Sequence, residues 1–95
     1  MEPALDDLAA ARRWLRQPGA GHAAARRLRH IERALTELRI GPCRWPHSEH
    51  EGARERVVEG YKIVYEVQPD TGDDASAGDV LVLRIFGPGQ LSDRM

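Results

Sequence analysis

The stretch from Arg54 to Gln90 constrains the fold most. It reads RERVVEGYKIVYEV, then an acidic loop containing glycine, then DVLVLRIFGPGQ, and it follows an arginine-rich half with helical character. Runs rich in Val, Ile and Tyr with strand-like periodicity suit a sheet, and Gly60 and the PDTGDDASAGD segment supply the breaks between them. The pattern predicts a three-stranded antiparallel meander packed against the helices that precede it.

Upstream the periodicity changes. Pro3 suits the first turn of a helix, and Asp6 and Asp7 sit where carboxylates favour the positive end of the helix dipole. Leu5, Leu8, Ala11 or Arg12, and Leu15 recur at helical spacing, which predicts a first helix from about Pro3 to Gln17, ended by Pro18-Gly19-Ala20-Gly21. A second helix is expected from about His22 to Arg39, where Ala24, Leu28, Ile31, Leu35 and Leu38 form one apolar stripe. Its opposite face carries Arg26, Arg29, Arg33 and Glu37. The short connection makes the pair an antiparallel hairpin that lays its stripe on the sheet, an α+β arrangement. Ninety-five residues suffice for one domain spanning 1–95, with the helical hairpin at about 3–39 and the sheet at about 54–87. Between them, Gly41 to Gly52 reads as an irregular crossing pinned to the core by Trp45. Pro69 to Asp79 reads as a longer, mobile hairpin loop.

The turn at Gly60 decides which side chains share a face. A two-residue loop of Glu59-Gly60 pairs Val58 with Tyr61 and sets Arg56 opposite Ile63. A glycine bulge pairs Val57 with Tyr61 and gathers Val57, Tyr61, Ile63, Tyr65 and Val67 under the helices. The bulge is preferred because it buries apolar residues together; it leaves Arg54, Arg56, Lys62 and Glu66 on the other face, where Arg84 is expected to join them.

The net charge of −1 hides an asymmetry. Residues 11 to 56 hold eleven Arg against five Glu, whereas residues 57 to 95 hold three cations against seven acids. All cations but Lys62 are arginine, which favours bidentate contacts with carboxylates and phosphates. A solvated face paired with acids is the plain explanation; a basic face for an acidic protein or a nucleic acid is the other. The single Cys43 excludes an internal disulfide, and the lack of a signal-like or membrane-spanning run leads us to expect a soluble cytoplasmic protein.

The ordered series of a helical pair, then G-x-R-x-R-V-V at Gly52–Val58, G-Y-K-I-V-Y-E-V at Gly60–Val67 and V-L-V-L-R-I-F at Val80–Phe86 resembles the RelE/ParE superfamily of toxins from type II toxin-antitoxin modules. Pro3-Ala4-Leu5-Asp6-Asp7-Leu8 is similar to that family's P-x-A-x-x-D-L start to its first helix, so the likeness covers nearly the whole chain. Family members usually begin with a short strand. Only Met1 and Glu2 precede Pro3 here, so the first strand is expected to be missing and a sheet edge exposed, unless an antitoxin strand or a second copy covers it.

The resemblance implies two activities. RelE-like members cleave messenger RNA on the ribosome, driving the 2'-hydroxyl onto the adjacent phosphate, which needs a base, cations and an acid. Arg84, Lys62, Arg56 and Arg54 would supply the cations, and Glu55, Glu59 or Glu66 the base. After Phe86, however, GPGQLSDRM holds no Tyr or His to act as the acid. ParE-like members lack that set and poison DNA gyrase, and the missing acid and the overall neutrality favour this reading. A third alternative is a non-toxic corepressor that only binds its antitoxin. In each case the resemblance implies a cognate antitoxin and operator DNA bound only through it; Arg26, Arg29 and Arg33 suit its acidic residues, and Trp14 is either a core residue or a further antitoxin contact. Tyr61 and Tyr65 are expected in the core and His22 and His30 on the surface. Cys43, His47 and His50 lack a fourth ligand for zinc, so no metal or other cofactor is expected.

Overall fold

A computed structural model describes residues 3–16, 19 and 21–87. Helix α1 spans Pro3–Arg16 and α2 spans Gly21–Ile40. Strands β1 (Arg54–Val58), β2 (Tyr61–Gln68) and β3 (Asp79–Phe86) form one antiparallel sheet in the order β1-β2-β3. The expected ends at Gln17 and Pro18, and the terminal segment after Gly87, lie outside the described residues. No helix among the described residues is long and apolar enough to cross a membrane.

The apolar stripe of α2 does what its spacing predicts. Ala24, Leu28, Ile31 and Leu38 are buried, Leu35 packs against them, and Ala34 joins them at the centre of the core. Ala11 and Leu15 of α1 and Tyr61, Ile63, Tyr65, Val67 and Ile85 of the sheet complete this layer. Leu5 differs: it is 63% exposed and lies on the rim of an apolar trough with Leu8, Leu35, Val80 and Val82.

The Gly60 turn corrects the expected facing of β1. Val58 pairs with Tyr61, Arg56 with Ile63 and Arg54 with Tyr65, so the loop is the strict two-residue form. Glu59 and Gly60 have φ of 53° and 78°, the two positive values that a type I′ turn needs. Cross-strand partners share a face, so Arg54 and Arg56 stand on the helix side rather than beside Lys62 and Glu66. Val57, expected in the core, is 63% exposed.

A second departure is a bulge in β3. Val64 pairs with Arg84 but Tyr65 pairs with Val82, leaving Leu83 as the extra residue. Strict alternation therefore fails: Val80, Val82 and Ile85 face the helices, while Leu83 packs with Ala53, Val64 and Phe86 in a second cluster.

The two outer strands are treated unequally. Along β1, the crossing loop supplies partners: Ser48 N–H donates to the Ala53 carbonyl at 2.8 Å, Glu55 N–H to the Pro46 carbonyl at 2.9 Å, and His47 bridges to Arg54. Along β3, Ile85 N–H donates to Asp7 Oδ2 of α1 at 2.8 Å.

Candidate functional site

Four sheet cations were expected to converge. Each is instead engaged with a carboxylate, and they are divided between the two faces.

Arg54, only 7% exposed, is the most enclosed. Its Nε and Nη2 donate to Asp70 at 2.7 and 3.0 Å, and its Nη1 donates to the Trp45 and Cys43 carbonyls at 2.7 and 3.4 Å. A buried guanidinium is costly to desolvate unless its donors are met, and here one arginine ties together the crossing loop, β1 and the β2–β3 loop. Hydrogen bonding from Arg54 holds the Asp70 carboxyl down at about 2. Burial, then the Asp70 carboxylate, pushes the Cys43 thiol up, and its Sγ donates to Asp70 at 3.5 Å. The loop expected to be mobile is therefore docked. Its Asp74 also accepts the Cys43 N–H at 2.7 Å, and Asp73 organises it through Ala75, Ser76 and Ala77.

Arg56 reaches α2, donating to the Ala34 carbonyl at 3.1 Å and to Glu37 at 2.9 Å, with its guanidinium 4.2 Å from the centre of the Trp45 ring. Trp45 thus pins the crossing loop, as expected, partly through a cation–π contact. The Tyr65 hydroxyl donates to the Pro42 carbonyl at 2.6 Å, and burial pushes its pKa up to about 12. Tyr61 and Tyr65 are both core residues.

The other face carries Lys62, 2.9 Å from Glu55, and Arg84. Arg84 stands opposite Val64, on the Lys62 face of the sheet as expected, yet it is half-buried and its side chain turns to helix α1 instead of joining Lys62. Its Nε and Nη2 donate to Asp7 at 2.7 and 3.3 Å and its guanidinium lies 5.0 Å from the Phe86 ring centre. The candidate bases are occupied as well: Glu55 by Lys62, Glu59 by His30 at 2.8 Å, and Glu66 by Gln68 at 2.9 Å. Among the described residues, no group of three or more His, Cys, Asp or Glu is placed to hold a metal.

The expected antitoxin contacts also separate. Arg26, Arg29 and Arg33 are exposed on the face of α2 opposite its buried stripe. Trp14, 65% exposed, stands on the flank of α1 beside a groove of about 550 Å³ bounded by Ala10, Leu15, Arg27, Tyr61 and Gly87. Sequence periodicity did not expose this groove, because Tyr61 and Gly87 reach it only once the meander is folded.

A helical hairpin laid on one face of a three-stranded antiparallel meander is the architecture of the RelE/ParE superfamily of toxins. The chain belongs within it to the ParE toxins of the type II toxin-antitoxin system, parDE, whose family model matches residues 1–87. It is accordingly the toxin of such a module, with an antitoxin as its partner. Searches of curated proteins and of solved structures give no match.

Proposed function

We propose that this toxin arrests growth by binding DNA gyrase and trapping its cleaved complex with DNA, acting through binding rather than catalysis, and that its antitoxin prevents this. The observation that carries the choice of target is the state of the sheet cations. Phosphodiester cleavage needs cations directed at one phosphate and an acid-base pair within reach of it. Arg54, Arg56, Lys62 and Arg84 are each bound to a carboxylate, and two of them face the helices. Their arrangement serves the fold and favours the gyrase reading over the ribonuclease one. The reading puts the toxin in the cytoplasm with its target.

We place the antitoxin's anchor at Trp14. An exposed tryptophan beside a groove is the kind of feature that dominates binding energy in protein interfaces. Arg27, whose contact with Glu59 is a loose 3.8 Å, adds a cation for an acidic residue of the antitoxin. Such a segment would order on binding.

Inducible expression without antitoxin tests the target. Gyrase-dependent DNA breakage with intact transcripts is expected. Cleaved transcripts without broken DNA would overturn the proposal and return Arg84 and Lys62 to a catalytic role, and unaffected growth would favour the corepressor alternative.

A further inference from the structure

We infer that the outward face of α2, carrying Arg26, Arg29 and Arg33, is a contact surface for the phosphate backbone of duplex DNA. The inference does not depend on gyrase being the target. It gives the toxin its own affinity for DNA, in addition to any contact made through the antitoxin.

The first support is that these charges are free. Among the described residues, no carboxylate lies within ion-pair distance of Arg26, Arg29 or Arg33. The nearby acids are already taken: Glu32 by Arg12 at 3.0 Å, Glu59 by His30 and Arg27, and Glu37 by Arg56.

Spacing is the second. The three arginines recur at intervals of three and four residues, which sets them roughly 4.5 and 6 Å apart along the helix axis. One DNA strand presents a phosphate about every 3.4 Å of duplex axis, so a helix laid against the backbone can engage several phosphates with side chains as long as arginine. Guanidinium groups also match phosphate oxygens in bidentate geometry.

The surface's composition separates DNA from an acidic peptide. Protein partners generally bury an apolar or aromatic anchor at the centre of the contact. This face presents His22, Arg26, Arg29, Arg33 and Thr36, its one acid Glu37 is paired with Arg56, and the one large exposed hydrophobic residue of α2 is Ile40, at the helix end. An apolar anchor is instead available at Trp14, on a different flank. The acids of the β2–β3 loop are held at the far end of α2, where Asp70 and Asp74 bind Arg54 and Cys43. They therefore do not neutralise the ridge despite the net charge of −1.

The test measures binding of the purified full chain to a short labelled DNA duplex of arbitrary sequence by fluorescence anisotropy, over a range of salt concentrations. Three proteins are compared: the natural chain, R26Q/R29Q/R33Q and R26K/R29K/R33K. The natural chain should bind weakly and independently of sequence. The slope of log affinity against log salt should fall by about 2–3 in the glutamine variant, at roughly 0.9 per lost phosphate contact, and be largely restored by lysine. Circular dichroism should show all three equally folded, since the replaced side chains are exposed. Indistinguishable slopes, absence of binding by the natural chain, or preference for single-stranded RNA of equal length would overturn the inference. So would unchanged DNA binding with a tenfold loss of antitoxin affinity in the glutamine variant, which would assign the ridge to an acidic peptide.

Discussion

Asp7 and Arg84, 77 positions apart in the chain, are joined by two charge-assisted hydrogen bonds of 2.7 and 3.3 Å. The Asp7 Oδ2 that receives the shorter bond also accepts the backbone N–H of Ile85 at 2.8 Å. One carboxylate in the early turns of α1 therefore fixes the helix against the outer edge of β3, and it does so at a side chain that is largely enclosed, 17% exposed.

Replacing that carboxylate should be felt in stability before anything else. Asp7→Ala leaves a half-buried guanidinium and a strand N–H without their acceptor, and a loss of about 2 kcal/mol is expected from urea unfolding. Arg84→Ala should cost less than Asp7→Ala, because the Ile85 bond survives it. Equal costs for the two would mean that the backbone contact contributes nothing.

The acid side of the stability profile should carry the signature of Arg54 and Asp70. Arg54 holds the Asp70 carboxyl at about 2, below the ordinary unfolded value of about 4. The pair therefore contributes fully above about pH 4, and its contribution is lost as pH falls from there toward 2. Asp70→Asn should be less stable near neutrality and should flatten the curve across that interval. A mutant curve parallel to the natural one would show that some other carboxylate governs acid unfolding.

The alkaline side should report on Tyr65. Burial raises its hydroxyl to about 12, above the ordinary value of about 10, so the native state keeps a proton that the unfolded chain releases. Stability is present below pH 10 and declines as pH rises from about 10 to 12. Tyr65→Phe should remove that decline. It should also cost roughly 1 kcal/mol at neutral pH, because the Pro42 carbonyl loses its donor.

How far the fold was legible follows from where information is local. The stripe from Ala24 to Leu38 and the order of the strands are periodic features, and periodicity is visible in sequence. The Gly60 turn is not legible from the apolar pattern, because gathering Val57 with Tyr61 favours the bulge. The apolar pattern carries no sign of the slots that α2, the crossing loop and the β2–β3 loop offer to arginine, namely the Ala34 carbonyl with Glu37, and Asp70 with the Trp45 carbonyl. A long side chain with an apolar stem and a forked donor can sit on the helix side when its acceptors are supplied by residues far away in sequence. The extra residue Leu83 is equally silent in sequence, since a run such as VLVLRIF alternates acceptably in either register. For the candidate surfaces, exposure is legible in sequence but grouping is not: Trp14 lines a groove on α1, whereas Arg26, Arg29 and Arg33 stand on the outward face of α2.

Glu59 occupies a turn position that suits Asn, Asp or Gly, with φ of 53°. Its compensating contacts to His30 and Arg27 are exposed, with side-chain exposures of 45% and 57% for those partners. Glu59→Asn should therefore raise the melting temperature, corresponding to about 0.5 kcal/mol. A lowered melting temperature would show that the His30 contact outweighs the strain.

Truncating Trp14 tests the antitoxin assignment. Trp14→Ala should weaken antitoxin binding by about 2 kcal/mol or more in calorimetric titration while leaving unfolding nearly unchanged, since the ring is mostly exposed. Retained affinity would move the anchor elsewhere.

The unequal strand edges have a consequence for how this protein can assemble. Growth of a sheet from molecule to molecule needs two receptive borders, one to join the copy before and one to accept the copy after. With β1 bordered at Ala53–Glu55 by its own crossing loop, that part of the edge is closed to a strand from another molecule. Copy-to-copy growth of the sheet is thereby hindered at one of the two borders it needs.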